Sequence, residues 1–189
     1  RPELLVETEW LEAHLDDSGL RVIDCDLPEA FSRVHIPGAL SVADHYEKDP
    51  DTNGVHVMKP NQIAELMGGL GIDKDTLVVG YDSRAGVYST RLWWVLNYFG
   101  HTKVKVLNGG WRKWFSEGRP VTDKVTSVAH STFVPKEDLS FLATLNDVFE
   151  SIGKENHIIW DVRSLDEYTG REERDNKRPG HVKGAIHLE

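Results

Sequence analysis

One thiol, one acidic loop residue and two arginines are the side chains in this sequence whose types and placement could do chemistry. Cys25 is the only cysteine. It follows the apolar run Val22–Asp24 and has Asp24 and Asp26 on either side, with no adjacent lysine, arginine or histidine to stabilise a thiolate. The flanking carboxylates raise its pKa, so it reads as an inert core or near-core residue. Asp82 opens the loop DSRAG between a short apolar run, Leu77–Tyr81, and a helical pattern. A tight loop running from a strand into a helix turns its amides and the positive end of the helix dipole toward one point, which makes an anion cradle. In its simplest reading Asp82 caps the helix that follows. Arg163 comes two residues after Asp161, at the end of another apolar run, and a fixed positive charge at the mouth of a parallel sheet suits an anionic ligand. Arg178 precedes Pro179-Gly180-His181 in a stretch that also carries Arg171, Arg174, Lys177 and Lys183. That stretch is a modest positive island in an acidic protein, or else a solvated loop with surface ion pairs.

Other features carry less. The nine histidines include no close pair at metal-ligand spacing, and with one cysteine a zinc site is not expected. His35 and His181, each near a glycine turn (HIPGA and HVKGA), read as packing and hydrogen-bonding residues. GGLG at 68–71 lacks the lysine of a phosphate-binding loop and the spacing of a dinucleotide site, so it reads as a helix stop. Trp93, Trp94, Trp111 and Trp114 read as core and domain-interface packing rather than a stacking platform for bases.

The elements that must position these residues recur. RVIDCDLPEAFSRVHIPGALSV (21–42) is repeated as IIWDVRSLDEYTGREERDNKRPGHVKGAIHLE (158–189). Asp24 matches Asp161, His35 matches His181, Gly38 matches Gly184 and Ala39 matches Ala185, with apolar neighbours in step. The Asp-to-His spacing is 11 in the first copy and 20 in the second, which therefore carries a nine-residue insertion. A helix precedes each copy, one from near Thr8 to Gly19 and one from near Thr144 to Gly153, each with a threonine suited to the N-cap. Between the copies, strand and helix alternate. A helix follows Pro60 with Ile63, Leu66 and Met67. The strand Leu77–Tyr81 precedes a helix with Tyr88, Leu92, Val95, Leu96 and Phe99 on one face. The strand Val104–Leu107 and the turn Asn108-Gly109-Gly110 lead to a short helix with Trp111, Trp114 and Phe115. Such alternation predicts an α/β fold, a mainly parallel sheet with helices on both faces. The spacing predicts one full domain at 1–122, a connector at 123–140 and the start of a second domain at 141–189. The polar loop Ala43–Lys59 is a surface excursion or a site wall.

Composition bounds the partners. Of the 189 residues 39% are hydrophobic and 28% charged, as in ordinary globular proteins, and the formal net charge of −9 disfavours nucleic acid and anionic membranes. No apolar run approaches a membrane span, and the opening RPELLVETEW shows no leader pattern. A lone cysteine favours a reducing, cytoplasmic setting.

VIDCD…HIPGAL, VVGYDSRAGVYSTRLWWVLNYFGH and VLNGGWRKWFSEGRPV together resemble the first domain of a tandem rhodanese, a thiosulfate or 3-mercaptopyruvate sulfurtransferase. The resemblance spans nearly the whole chain. It implies that the second domain's loop holds a cysteine that carries the transferred sulfur as a persulfide, that this cysteine lies beyond Glu189, and that Asp82 marks the silent first copy. It implies further that Arg163, and less securely Arg178, bind the anionic sulfur donor, that the acceptor is cyanide or a thiol, and that no cofactor is needed. A carboxylate at position 82 cannot accept a sulfane sulfur, so no residue of this chain is expected to be the nucleophile. Two rivals stand beside this reading. A non-catalytic rhodanese pair would serve as a regulatory or binding module, and a phosphatase of the related fold would need a cysteine and an arginine bracketing a longer loop, which the complete copy lacks. Oligomeric state is not legible.

Overall fold

The computed structural model describes residues 2–42, 57–174 and 176–189. Most of the loop read at Ala43–Lys59 lies outside the described residues. The chain divides into two compact units, Arg1–Phe141 and Leu142–Glu189.

In the first unit five parallel strands form one sheet. They are β1 (Leu5–Val6), β2 (Leu20–Asp24), β3 (Leu40–Ser41), β4 (Leu77–Tyr81) and β5 (Val104–Leu107), in the spatial order β1-β5-β4-β2-β3. The helices are α1 (Thr8–Ala13), α2 (Pro28–Phe31), α3 (Pro60–Gly69), α4 (Val87–Tyr98) and α5 (Gly110–Ser116). Strand side chains alternate between two buried layers, which is why the strands read as continuous apolar runs. Ile23, Cys25, Leu40 and Val78 pack with Ile63 and Met67 of α3 and Leu92, Val95 and Leu96 of α4. Leu20, Val22, Val79 and Tyr81 face the other way, against Leu11 of α1, Phe31 of α2 and Trp114 of α5. The segment after α5 returns to this unit. His35 and Thr122 form an antiparallel bridge, and Phe133 is buried in the first layer.

The helix at Thr8 differs from its sequence reading. Thr8 is its first helical residue rather than its cap, and Glu7 holds the N-cap position without a side-chain bond. The Thr8 hydroxyl donates to Glu117 at 2.6 Å and accepts from Lys113 at 3.1 Å, so a tertiary ion cluster has claimed the group that would otherwise cap. Thr144 does cap its helix, accepting from Asp147 N while Asp147 reaches back to Thr144 N.

The second unit carries α6 (Leu145–Ser151), β6 (Trp160–Asp161), α7 (Leu165–Thr169) and β7 (Ile186–His187), with β6 and β7 paired in parallel. Leu145, Phe149, Trp160, Val162, Ile186 and Leu188 are exposed. The first-copy counterparts of the last four, Ile23, Cys25, Leu40 and Val42, are buried.

Candidate functional site

Asp82 leaves the carboxyl end of β4, the end at which parallel α/β sheets bind ligands. Its carboxylate fills the cradle that the following loop and helix build. Oδ1 accepts from Arg84 N at 2.7 Å and Gly86 N at 2.9 Å. Oδ2 accepts from Tyr88 N at 3.1 Å, Ser89 N at 2.8 Å and Ser89 Oγ at 2.7 Å. Asp82 is therefore not the N-cap of α4, a place held by Gly86, but it satisfies the amides of that helix's first turn from five residues upstream. Burial pushes this carboxyl up, and the bonds from Ser89, Gly86 and Arg84 outweigh burial and leave it below the ordinary carboxylate value. Holding the loop around the carboxylate puts Ala85 in the left-handed region, at φ 58°. The far wall is a close backbone approach. Trp111 N donates to the Asp82 carbonyl at 2.9 Å, and a Cβ on Gly110 would run into that same oxygen, which is what the Gly109-Gly110 pair provides for.

The residues around this loop are acidic and spoken for. Asp26 accepts from Ser83 N at 2.8 Å and Ser83 Oγ at 3.0 Å, and burial raises its carboxyl above the usual value. Asp24 accepts from the Tyr81 hydroxyl at 2.6 Å, and that hydroxyl accepts from Ile36 N at 3.2 Å, a buried chain linking β2, β4 and the turn before β3. Cys25 is buried, and burial together with the charges of Asp24, Asp82 and Asp26 pushes its thiol well above the usual value. It is not a nucleophile poised at neutral pH. A cavity of about 620 Å³ lined by Asp73, Phe99, His101, Lys103 and Phe133 lies at the amino ends of β4 and β5, away from Asp82.

In the second unit Arg163 stands at the carboxyl end of β6. Its Nε donates to Asp161 Oδ1 at 2.9 Å and its Nη2 to Asp161 Oδ2 at 2.6 Å, a forked pair, and Nη2 also reaches the Gly180 carbonyl at 2.9 Å. The Arg163 guanidinium holds the Asp161 carboxyl down to about 2, and the pair raises the arginine in turn. Arg178 is exposed and makes no hydrogen bond or ion pair with a described residue, so the structure brings Arg163 and the turn after Arg178 together through Gly180 but leaves the Arg178 side chain apart. Much of the positive island is paired, Arg171 with Asp166 and Arg174 with Glu172 and Glu167. The two histidines of the repeat do the same work in each unit. His35 stacks on Phe31 at 3.9 Å with Nδ1 at the Phe31 carbonyl, and His181 stacks on Tyr168 at 3.8 Å with Nδ1 at the Tyr168 carbonyl.

Sequence reasoning missed Tyr81, Ser83, Ser89 and His187. Tyr81 and Ser83 could have been found only from the pairing of β2 with β4. His187 had a signal, since it falls where the first copy has Ser41. Among the described residues, no group of three His, Cys, Asp or Glu side chains is placed to hold a metal ion, and no helix is long and apolar enough to cross a membrane.

Comparison with known proteins agrees with this architecture. The profile of the rhodanese-like domain matches residues 7–117. Thiosulfate sulfurtransferase of Gallus gallus is 33% identical over 200 residues, covering 97% of this chain and 69% of that protein. The sulfur carrier protein TtuD of Thermus thermophilus is 35% identical over 200 residues, covering 99% of this chain and 70% of its own length. Among solved structures SseA of Escherichia coli, a 3-mercaptopyruvate sulfotransferase with the rhodanese fold, superposes with a TM-score of 0.86 at 24% identity, over 97% of this chain and 74% of that one. With its parallel sheet, its loop cradle at the end of β4 and a profile match over more than half its length, the chain belongs to the rhodanese-like family.

Proposed function

We propose that the chain is part of a two-domain sulfurtransferase that takes the sulfane sulfur of thiosulfate or the thiol sulfur of 3-mercaptopyruvate and gives it to cyanide or a thiol, in a cytoplasmic setting. The observation that carries this reading is Arg163, forked on Asp161 at the mouth of the second unit where the first copy has Asp26. On this reading 1–122 is a silent domain, 123–140 a connector and 141–189 the start of the catalytic domain, whose cysteine lies roughly 40–50 residues beyond His181 if the second copy keeps the frame of the first. That thiolate attacks the outer sulfur of thiosulfate, the sulfur–sulfur bond breaks, and sulfite leaves with the electron pair. Cyanide or a thiolate then attacks the outer persulfide sulfur and the cysteine thiolate is regenerated. Loop amides arranged as those around Asp82 hold the thiolate and persulfide charge, and Arg163 takes the donor's anionic group, with Arg178, exposed in the same unit, as a second cation for it. Neither half-reaction calls for a metal or an organic cofactor.

A second reading has its own support. The one complete loop described is filled by a carboxylate, as in a regulatory or binding module. Sulfur transfer by the full-length protein separates the two. Thiosulfate-dependent thiocyanate formation that is lost when the loop cysteine is replaced supports the enzyme. Asp, Gly or Ser at that loop position, with no turnover, leaves the binding module.

A further inference from the structure

His187 on β7 lies in register with Asp161 on β6. Its Nε2 stands 2.8 Å from the carbonyl oxygen of Arg163. A carbonyl can only accept, so Nε2 carries the proton in this contact. The ring is half-buried and lies against Tyr168, 4.8 Å between centroids. Arg163 is thereby held at every point but one. Its amide and Nε go to Asp161 Oδ1, its Nη2 goes to Asp161 Oδ2 and the Gly180 carbonyl, and its own carbonyl receives His187. Nη1 is the guanidinium nitrogen without a partner among the described residues. The first copy keeps only the main-chain part of this, Asp26 N donating to Asp24 Oδ1 at 2.9 Å. Asp26 stands in place of the arginine, and Ser41, in place of His187, donates to the neighbouring Val42 carbonyl at 3.4 Å.

We infer that His187 is a positioning residue which, with Asp161 and the Gly180 carbonyl, presets Arg163 so that the anionic donor meets the Nη1 edge alone. The inference rests on the donor-binding role given to Arg163 above. The physical reason is pre-organisation. A free arginine must be ordered by each incoming substrate, whereas one whose main chain and guanidinium are already fixed gives its remaining N–H groups to the donor at little ordering cost. A sulfonate-like or carboxylate oxygen fits such an edge, and the forked pairing that arginine usually offers is already spent on Asp161.

The full-length protein tests this with two readouts. In His187→Leu the KM for thiosulfate should rise roughly tenfold with kcat little changed, the loss expected from misplacing a substrate-holding group. His187→Gln, whose amide can still donate to the Arg163 carbonyl, should restore most of it. The Arg163 Nε–H signal in nitrogen-15 NMR spectra should resist solvent exchange in wild type and in His187→Gln and be lost in His187→Leu, and thiosulfate should shift the Arg163 signals less in the leucine variant. An unchanged Arg163 signal in His187→Leu would overturn the inference whatever the activity. So would a lost signal with unaltered KM and thiosulfate response. Absence of turnover in the wild type strikes at the proposed enzyme instead, and the NMR titration then decides the role of His187 without it.

Discussion

Asp82 and Ser89, seven residues apart, are joined twice at one carboxylate oxygen, by the Ser89 amide at 2.8 Å and its hydroxyl at 2.7 Å. With the amides of Arg84, Gly86 and Tyr88 on the same carboxylate, the first unit's loop is closed around a charge of its own. Asp82 is 2% exposed, so its removal leaves donors that water reaches poorly. Asp82→Ala should destabilise the first unit by about 2–4 kcal/mol, the cost of stranding several donors of a charge-assisted network, read by urea or thermal unfolding.

The same carboxylate gives a pH dependence of known sign. Its folded pKa is depressed, so its contribution is complete above the unfolded value of about 3.9 and is lost as pH falls through the lower folded value. Acid unfolding of wild type should therefore steepen below about pH 4. Asp82→Asn should flatten that limb of the stability curve, and a variant as acid-sensitive as wild type would assign the effect to other carboxylates.

Catalytic silence of this 189-residue chain is the outcome expected from where its one thiol lies. Cys25 is buried with a raised pKa. The native chain should form no thiocyanate from thiosulfate and cyanide, and its thiol should resist a disulfide reagent until the protein unfolds. Turnover abolished by Cys25→Ser would reverse this assignment.

Restoring a thiol to the loop should not restore an enzyme. Asp82→Cys places sulfur at the cradle but leaves Asp26 tied to Ser83 beside it, a like charge facing an anionic donor. The substitution also removes the anion that holds the loop amides together. Thiosulfate turnover comparable to that of an authentic rhodanese in this single variant would show that sulfur transfer does not depend on an arginine at the mouth.

Much of this was legible because strand and helix periods are local. The apolar runs of β2, β4 and β5, the stripe of α4 and the repeat joining Asp24 to Asp161 all follow from side-chain spacing. The bonds that shape the sites were not. Tyr81 meets Asp24 across 57 positions, and Arg163 meets Gly180 across an insertion that the first copy lacks. Such partners depend on strand register and on loop closure, which no window of sequence contains. Thr8 shows the limit at short range. Its sequence position suits a cap, yet Glu117 and Lys113, over a hundred residues away, take its hydroxyl.

The last prediction concerns the open face of the second unit. Trp160, Val162, Ile186 and Leu188 are exposed, whereas their counterparts in the first copy pack under α3 and α4 together with β4. Fully burying such side chains is worth about 1.5–3 kcal/mol each. A unit this small buries a smaller share of its surface than a full domain does, so its stability alone is marginal. In this chain Trp160 should emit as a water-exposed indole, and the second unit should bind a hydrophobic dye and exchange its amides faster than the first. In a longer polypeptide that completes the repeat, Trp160 emission should shift to the blue and dye binding should fall. Because Trp93, Trp94, Trp111 and the others also emit, the measurement compares each protein with its own Trp160→Phe variant. A Trp160 contribution that is already blue-shifted in the 189-residue chain would mean that the face is covered some other way, and the correspondence between Ile23 and Trp160 drawn from the repeat would no longer hold for packing.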